Sequence, residues 1–345
     1  MTHDPPAPCP DPLTPGGRES HGGARTFRQE TSSTPAKGRA VLNPSALYRF
    51  ETDADLTVPR PGVLIVTLGA FVDAGQIQSV LGGHLLETGE PEVVASFDID
   101  QLLDYRGRRP AMVFDTNRWV EYDDPTMLLH RLTDRDGQTY YLLTGPEPDY
   151  QWERVIEAVR ELVVRLGITL VVHTHGIPMA VPHTRPVGMT AHATDTTLIG
   201  DSVSPFGRVQ VPGSIGALLE MRLGESGHQA VGFAIHVPHY LAGAEWAEGA
   251  LAALNAVVDV TGLNLPNDDL VLRARSNQQA IAAEVEGNDE ARAVVNALEQ
   301  QYDTYLEGKE RPSLLATEAS QLPSADELGA DFENFLRHVA DDETS

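Results

Sequence analysis

Residues 62–97, GVLIVTLGAFVDAGQIQSVLGGHLLETGEPEVVASF, decide the fold of this 345-residue chain. The continuous apolar run over 62–68 is typical of a strand that is buried on both faces of a sheet. A helical pattern follows over 76–87, and residues 93–97 are predicted to form the next strand. A strand, a loop, a helix and a strand in this order predict a β-α-β unit and therefore a parallel pair of strands.

The same alternation of strands and helices continues along the chain. Residues 127–133 and 139–144 flank the turn sequence DRDG and predict a hairpin. Apolar patterns predict further helices and strands over 152–166, 168–172, 215–223, 230–237 and 245–260. The expected fold is α/β, with three layers (α/β/α) and a mostly parallel sheet.

Composition divides the chain into three regions. Residues 1–40 are rich in Pro, Gly, Ser and Thr and are predicted to form a disordered N-terminal tail. Residues 41–265 are predicted to form the α/β core domain. Residues 266–345 are predicted to form an acidic helical extension, with helices over 268–286, 289–306 and 325–339.

The net charge of −25 and the single cysteine restrict the classes of function. Strong acidity argues against a nucleic-acid partner and against docking on an anionic membrane. One cysteine, Cys9, excludes a disulfide framework and a cysteine-ligated zinc site. The first residues lack the apolar region of a signal peptide, and no apolar run reaches the roughly 20 residues of a membrane span. A cytoplasmic protein without a cofactor is predicted.

The segment 171–193, VVHTHGIPMAVPHTRPVGMTAHA, is the most distinctive one for function. His173 and His175 are two residues apart, so both side chains would lie on one face of a strand. Three prolines are then expected to stop a regular strand or helix, namely Pro178, Pro182 and Pro186. Imidazoles at such a bend suit metal binding, proton transfer or contact with a partner.

A metal site at this bend would need a carboxylate or a third fixed ligand beside the histidines. The next acids in the sequence, Asp195 and Asp201, complete no known ligand spacing. A second pair, His236 and His239, follows another predicted strand and would lie nearby if the two pairs converge. No metal is therefore predicted. The histidines are interpreted as hydrogen-bonded or partner-contacting groups, with acid–base chemistry as the alternative.

Two other residues have a structural and a functional interpretation. Asp73 lies in the loop after the first predicted strand, where α/β proteins often bind ligands. That loop lacks the phosphate-binding glycine motifs, so Asp73 is interpreted mainly as an acceptor for free N–H groups at the helix start. Ser214 is interpreted as a helix N-cap rather than a nucleophile, because no GxSxG motif surrounds it. The charged segment 98–110 is typical of a solvated ion-pair surface or an oligomer contact.

Several stretches of the sequence together resemble the proteasome assembly chaperone 2 family, in its bacterial branch. They are PGVLIVTLGAFVDAG, FDIDQLLDYRGRRP, LTGPEPDYQWERVIEAV, and GIPMAVPHTRP with TAHA, followed by GFAIHVPHYLA. The resemblance covers about residues 43–270. It implies a three-layer fold similar to the purine nucleoside phosphorylase group, helical additions after the core, and self-association.

Eukaryotic relatives in this family act as chaperones for assembly of the proteasome α-ring, and some dock through a C-terminal hydrophobic-Tyr-any tail. Residues 341–345, DDETS, have neither feature, so docking by tail insertion is not expected. The leading hypothesis is a non-enzymatic, homo-oligomeric protein-interaction module of assembly-chaperone type. Its candidate partners are a second copy of itself and proteasome or other protein subunits.

The candidate ligand or partner contacts are Asp73, His173, His175, His183, Arg185 and His236. The alternative hypothesis is a small-ligand enzyme of nucleoside hydrolase or phosphorylase type. In that enzyme Arg185 would bind an anion, and His175 or His183 would serve as general acid or base. A ligand-regulated oligomer without catalysis is a third hypothesis. No catalytic residue is assigned.

Overall fold

The computed structural model describes residues 41–51, 62–69, 72–200, 204 and 206–306. The predicted tail 1–40 and the predicted helix 325–339 lie outside these residues. The strands are β1 Tyr48–Phe50, β2 Gly62–Leu68, β3 Glu92–Phe97, β4 Met112–Asp115, β5 Arg118–Tyr122, β6 Leu128–Thr133, β7 Thr139–Gly145, β8 Ile168–Met179, β9 Met189–Ala193 and β10 Gln229–Pro238. The helices are α1 Ile77–Thr88, α2 Trp152–Arg165, α3 Ile215–Glu225, α4 Ala247–Thr261, α5 Asp268–Gly287 and α6 Asp289–Leu306. None of these helices is long and apolar enough to cross a membrane.

Eight strands form one mixed sheet in the order β1-β3-β6-β7-β2-β8-β10-β9. The central strands β7, β2, β8 and β10 are parallel neighbours, whereas the pairs at both ends are antiparallel. The predicted α/β class is confirmed, and the sheet is parallel only at its centre. The predicted hairpin is also confirmed, because β6 and β7 pair across the DRDG turn.

The predicted pairing of β2 with β3 is wrong. The two strands run in the same direction, but the β6–β7 hairpin lies between them. Strand β7 forms the parallel pair with β2, and β6 pairs with β3. The local pattern of strand, helix and strand predicts the direction of β3 correctly. It contains no information on which distant strand takes the place beside β2.

Helices cover both faces of the sheet. Successive residues of β2 alternate, so Val63 and Ile65 pack in one apolar cluster with α1, α4 and α5. Leu64 and Val66 pack in the other cluster with α2 and α3. These two clusters confirm the predicted three layers. Helix α5 contributes Leu270, Ala274 and Ile281 to the first cluster, so this part of the acidic extension packs on α4.

Strand β8 is longer than predicted. It continues past Val172 to Met179 and remains paired with β10 over its whole second half, including Pro178. The pairing with β2 stops at His173, and among the residues that the structure describes no strand pairs with this edge of β8 from there on. There the amide of Gly176 donates to Asp73 instead. Residues 176 and 178 are two apart, so their backbone N–H positions face the same unpaired edge of β8. Pro178 has no N–H, and at this edge its absence costs no hydrogen bond between strands.

Candidate functional site

Two histidines and a glutamate meet beneath α3. His173 comes from β8, His192 from β9 and Glu220 from α3. The Nε2 atom of His173 lies 2.9 Å from Oε2 of Glu220, and Nδ1 of His192 lies 2.8 Å from the same oxygen. Both imidazoles are hydrogen-bonded to this one carboxylate oxygen. We call these three residues the His–Glu cluster.

Gly232 makes this arrangement possible. On β10 it pairs with His173 of β8 on one side and with His192 of β9 on the other. A Cβ at Gly232 would lie 2.2 Å from Cε1 of His192 and 2.5 Å from Nε2 of His173. A residue without a side chain at this position therefore lets the two rings approach each other over the strand between them.

The environment sets the charges of the cluster. Burial lowers the pKa of His173 and favours its neutral form, even though the hydrogen bond to Glu220 acts in the opposite direction. Burial also opposes ionisation of Glu220, but the hydrogen bonds with His173 and His192 outweigh it and hold the pKa of Glu220 at about 2. At neutral pH the cluster contains an ionised carboxylate beside a neutral His173.

His175 extends this group of imidazoles along β8. Its ring is parallel to that of His173, with 6.2 Å between the ring centroids, and it lies equally far from the ring of His192. Burial lowers the pKa of His175 to about 3, so the side chain is neutral at physiological pH. The spacing of two residues predicts correctly that His173 and His175 share one face of a strand.

Asp73 connects the start of α1 to β8. Its carboxylate accepts hydrogen bonds from the amide of Gln78 at 3.0 Å and from the amide of Gly176 at 3.2 Å. Burial raises the pKa of Asp73 to about 6 against the effect of these bonds. The contacts agree with the interpretation of Asp73 as an acceptor of backbone N–H groups.

His183 and Arg185 lie in the proline-rich loop after β8, in contact with other elements. The Nδ1 atom of His183 is 2.7 Å from the hydroxyl of Tyr240. Arg185 donates to both carboxylate oxygens of Asp303, at 2.9 and 2.6 Å, and to Glu299 at 3.0 Å. The anionic partners of Arg185 are therefore side chains of α6.

His236 has a fourth environment, between β10 and β9. Its Nε2 atom lies 2.8 Å from the hydroxyl of Thr190, and burial lowers its pKa to about 4. The six predicted contact residues thus occupy four separate places. His173 and His175 lie on the face of β8 under α3, and Asp73 lies at the start of α1. His183 and Arg185 lie in the loop after β8, and His236 lies in the β9–β10 pair. His175, His183 and Arg185, which the enzyme hypothesis combines, belong to two of these places.

Two further sequence interpretations can be compared with the structure. The hydroxyl of Ser214 accepts a hydrogen bond from the amide of Ala217 at 3.2 Å, which is the N-cap of α3. In the charged segment 98–110, Arg108 pairs with Asp149 at 3.1 Å. Both observations agree with structural roles.

His192 and Glu220 are not among the candidates that the sequence predicts. His192 lies in MTAHA, a short segment that becomes a strand only through its pairing with β10. Glu220 lies within IGALLEMRL, where one acid in an apolar helix is the only local signal. Asp195 and Asp201 follow the histidines more closely in sequence, but the carboxylate that His173 contacts comes from the next helix.

A second feature is the hairpin of β4 and β5, which forms a sheet of its own. Met112 pairs with Tyr122 and Phe114 pairs with Trp119, and a register shift between the two pairs leaves Val120 without a partner in the ladder. Met112 and Phe114 alternate onto the same face of β4, and each partner shares that face. Each is 48–62% exposed, and the rings of Phe114 and Trp119 touch edge to face at 5.0 Å. We call these four residues the hairpin face. Contiguous apolar surface of this kind is typical of a contact site.

Comparison with known proteins identifies the class of this protein. The model of the PAC2 family matches residues 67–285, and the chain belongs to this family. This confirms the resemblance found in the sequence. No curated protein matches the chain.

Two solved structures share substantial sequence with it. A Mycobacterium tuberculosis protein of unknown function is 43% identical, with a TM-score of 0.74, over 78% of this chain and 93% of that one. A Corynebacterium glutamicum protein of unknown function is 35% identical, with a TM-score of 0.72, over 76% of this chain and 99% of that one. A Mycobacterium tuberculosis proteasome-assembly chaperone homologue shares the fold, at 22% identity and a TM-score of 0.61, over 68% of this chain and 99% of that one.

Replacing Arg185 by methionine should loosen α6. The substitution removes the ion pairs to Asp303 and Glu299 but keeps a long apolar side chain, so the helix loses an electrostatic attachment to the loop. Faster amide hydrogen exchange over 289–306 is the expected result. Arg160→Met is the control, because Arg160 pairs with Glu157 within α2. Equal exchange in the two variants would show that Arg185 does not hold the helix.

Proposed function

We propose that this protein is a non-enzymatic, homo-oligomeric interaction module of assembly-chaperone type, and that the hairpin face is its principal contact. The proposal rests mainly on one observation, the exposure of four large apolar side chains on one face of β4–β5. Aromatic residues and methionine are enriched at protein interfaces. Trp and Tyr are also enriched among the few residues that contribute most of the binding energy at such interfaces.

The occupant that we propose for the hairpin face is a second copy of the chain. A lone two-stranded hairpin is marginally stable in water, so β4–β5 gains from an apolar surface packed on it. Self-association through this face depends on apolar contact, because residues 111–124 carry four acids and one arginine in a chain whose net charge is −25.

The surroundings of His175, His236 and Arg185 also favour an interaction role over catalysis. The pKa of His175 and that of His236 are lowered so far that neither takes up a proton near pH 7. A general acid or base works best with a pKa near the operating pH. Arg185 is paired with Asp303 and Glu299, which leaves it poorly placed to bind a small anion.

A link to proteasome assembly is the finer part of the proposal. Its support is membership of the PAC2 family, together with the fold shared with a proteasome-assembly chaperone homologue. We propose that proteasome subunits encoded in the same genome are partners of the oligomer. Native mass spectrometry of the purified full chain mixed with these purified subunits should detect a stoichiometric complex. Absence of a complex at micromolar concentrations would contradict the link and leave the self-association proposal intact.

The double substitution Phe114→Ser/Trp119→Ser should weaken self-association. These are the two most exposed side chains of the hairpin face, and loss of two interface anchors is expected to raise the dissociation constant about a hundredfold or more. Light scattering coupled to size-exclusion chromatography over a range of concentrations measures this change. Circular dichroism checks that the fold is retained.

Leu272→Ser is the matched control, because Leu272 on α5 is also 62% exposed but lies outside the hairpin. It should assemble like the wild type. A wild-type chain that stays monomeric at high concentration would refute the proposal. So would a double variant with unchanged assembly.

A further inference from the structure

The His–Glu cluster has the donor set of a metal site. His173, His192 and Glu220 each offer one potential ligand atom, and these three atoms lie within 4.8 Å of one another. Two imidazole nitrogens and one carboxylate oxygen are a ligand combination that proteins use for Zn²⁺. The three ligands come from β8, β9 and α3, so the fold and not a local motif brings them together.

The surrounding backbone leaves room for these ligands. Gly232 lies under both imidazoles, where any Cβ would come within 2.5 Å of Nε2 of His173. Gly216, near the start of α3, approaches the same ring from the helix side, and a Cβ there would lie 3.0 Å from Nδ1. Two glycines on opposing elements thus border His173.

The cluster has one side open to solvent. The side chain of His173 is 5% exposed and that of Glu220 is 13% exposed, whereas that of His192 is 35% exposed. His192 lies on β9, the last strand of the sheet. An ion can therefore reach the buried ligands past His192 without unfolding of the core.

We propose that His173, His192 and Glu220 bind one zinc ion per chain, with water as the fourth ligand. The ion binds Nε2 of His173 and Nδ1 of His192, in place of the two hydrogen bonds with Glu220. A ring nitrogen that binds the ion carries no proton, so binding at these two atoms is in competition with protons. The bound ion joins the edge strand β9 to β8 and α3.

Zinc binding is tested on the full chain after removal of metal with a chelator. We expect the reloaded and desalted wild type to retain about one zinc per chain by elemental mass spectrometry, as expected for a site of two imidazoles and one carboxylate. Cobalt should give the visible absorption of a four-coordinate site. Zinc should also raise the melting temperature, because it binds only the folded chain.

His192→Asn and Glu220→Gln should each weaken zinc binding about tenfold or more and abolish the rise in melting temperature. His192→Asn is the more conservative variant for folding, because this side chain is partly exposed on an edge strand. His236→Asn is the matched control, since His236 lies on β10 but outside the cluster, and it should bind zinc like the wild type. A His3→Gln/Cys9→Ser/His21→Gln variant removes every histidine and cysteine of the first 40 residues and should also bind normally.

Three results would overturn the proposal. The first is a wild type that retains no zinc. The second is wild-type affinity in both His192→Asn and Glu220→Gln. The third is loss of binding in the His3→Gln/Cys9→Ser/His21→Gln variant, which would place the ion in the N-terminal segment. None of these results depends on the oligomeric state, so the zinc proposal and the hairpin proposal fail independently.

Discussion

Gly176→Ala should lower the free energy of unfolding by about 3 kcal/mol or more, because the new methyl group has no space. A Cβ at Gly176 would lie 1.9 Å from the carbonyl oxygen of Ala74 and 2.9 Å from Cγ1 of Ile77. The first contact is with backbone, so relief of the clash requires that β8 and the loop before α1 move apart. That movement would also break the hydrogen bond from Gly176 to Asp73.

Urea denaturation monitored by circular dichroism measures this loss at a fixed protein concentration. Gly83→Ala is the matched control, since Gly83 lies inside α1 and a Cβ there meets nothing within 4 Å. Removal of a glycine from a helix interior should stabilise the protein by about 0.5–1 kcal/mol. Equal stability of Gly176→Ala and the wild type would show that β8 does not pack against this loop as described.

Acid should destabilise the fold through His236. Burial lowers the pKa of His236 from 6.5 to about 4, so the folded state binds a proton less readily than the unfolded chain. The stabilising contribution of neutral His236 is fully present above pH 6.5 and is lost as the pH falls toward 4. At 1.36 kcal/mol per pKa unit, this loss amounts to about 3 kcal/mol.

His236→Asn should therefore lose less stability than the wild type between pH 7 and pH 4. Asparagine keeps a polar group near Thr190 but does not titrate, so comparison of the two pH profiles isolates the contribution of His236. His239→Asn in the adjacent turn, where the side chain is exposed, is the control for replacing a histidine by asparagine at the surface. Parallel profiles for His236→Asn and the wild type would contradict the buried, neutral state of His236.

The parts of the fold that are predictable have strong local patterns. The apolar run of β2, the amphipathic spacing of α2 and the DRDG turn between β6 and β7 each predict their element from adjacent residues. The hairpin of β4 and β5 is not predicted, because its turn contains no glycine and Thr116 takes the left-handed conformation, with φ 54°. Short strands with unusual turns give weak signals.

The candidate site is only half predictable. The spacing of His173 and His175 predicts that they share a face, because that depends only on alternation along one strand. The meeting of His173 with His192 depends on Gly232, which pairs with both across three strands. The role of Glu220 depends on how α3 packs on the sheet. Such relations are set by tertiary packing, and no window of the sequence contains them.

The short edge strands of the eight-stranded sheet limit how copies of the protein can join through their backbones. The sheet ends in β1, with three residues, and in β9, with five, and both edges are antiparallel. Such short edges offer few free backbone groups to a strand from another molecule. Growth of an endless fibre by strand addition is thereby disfavoured. In the self-association that we propose, contact through the hairpin face instead favours closed assemblies of fixed size, whose symmetry limits how many copies can join.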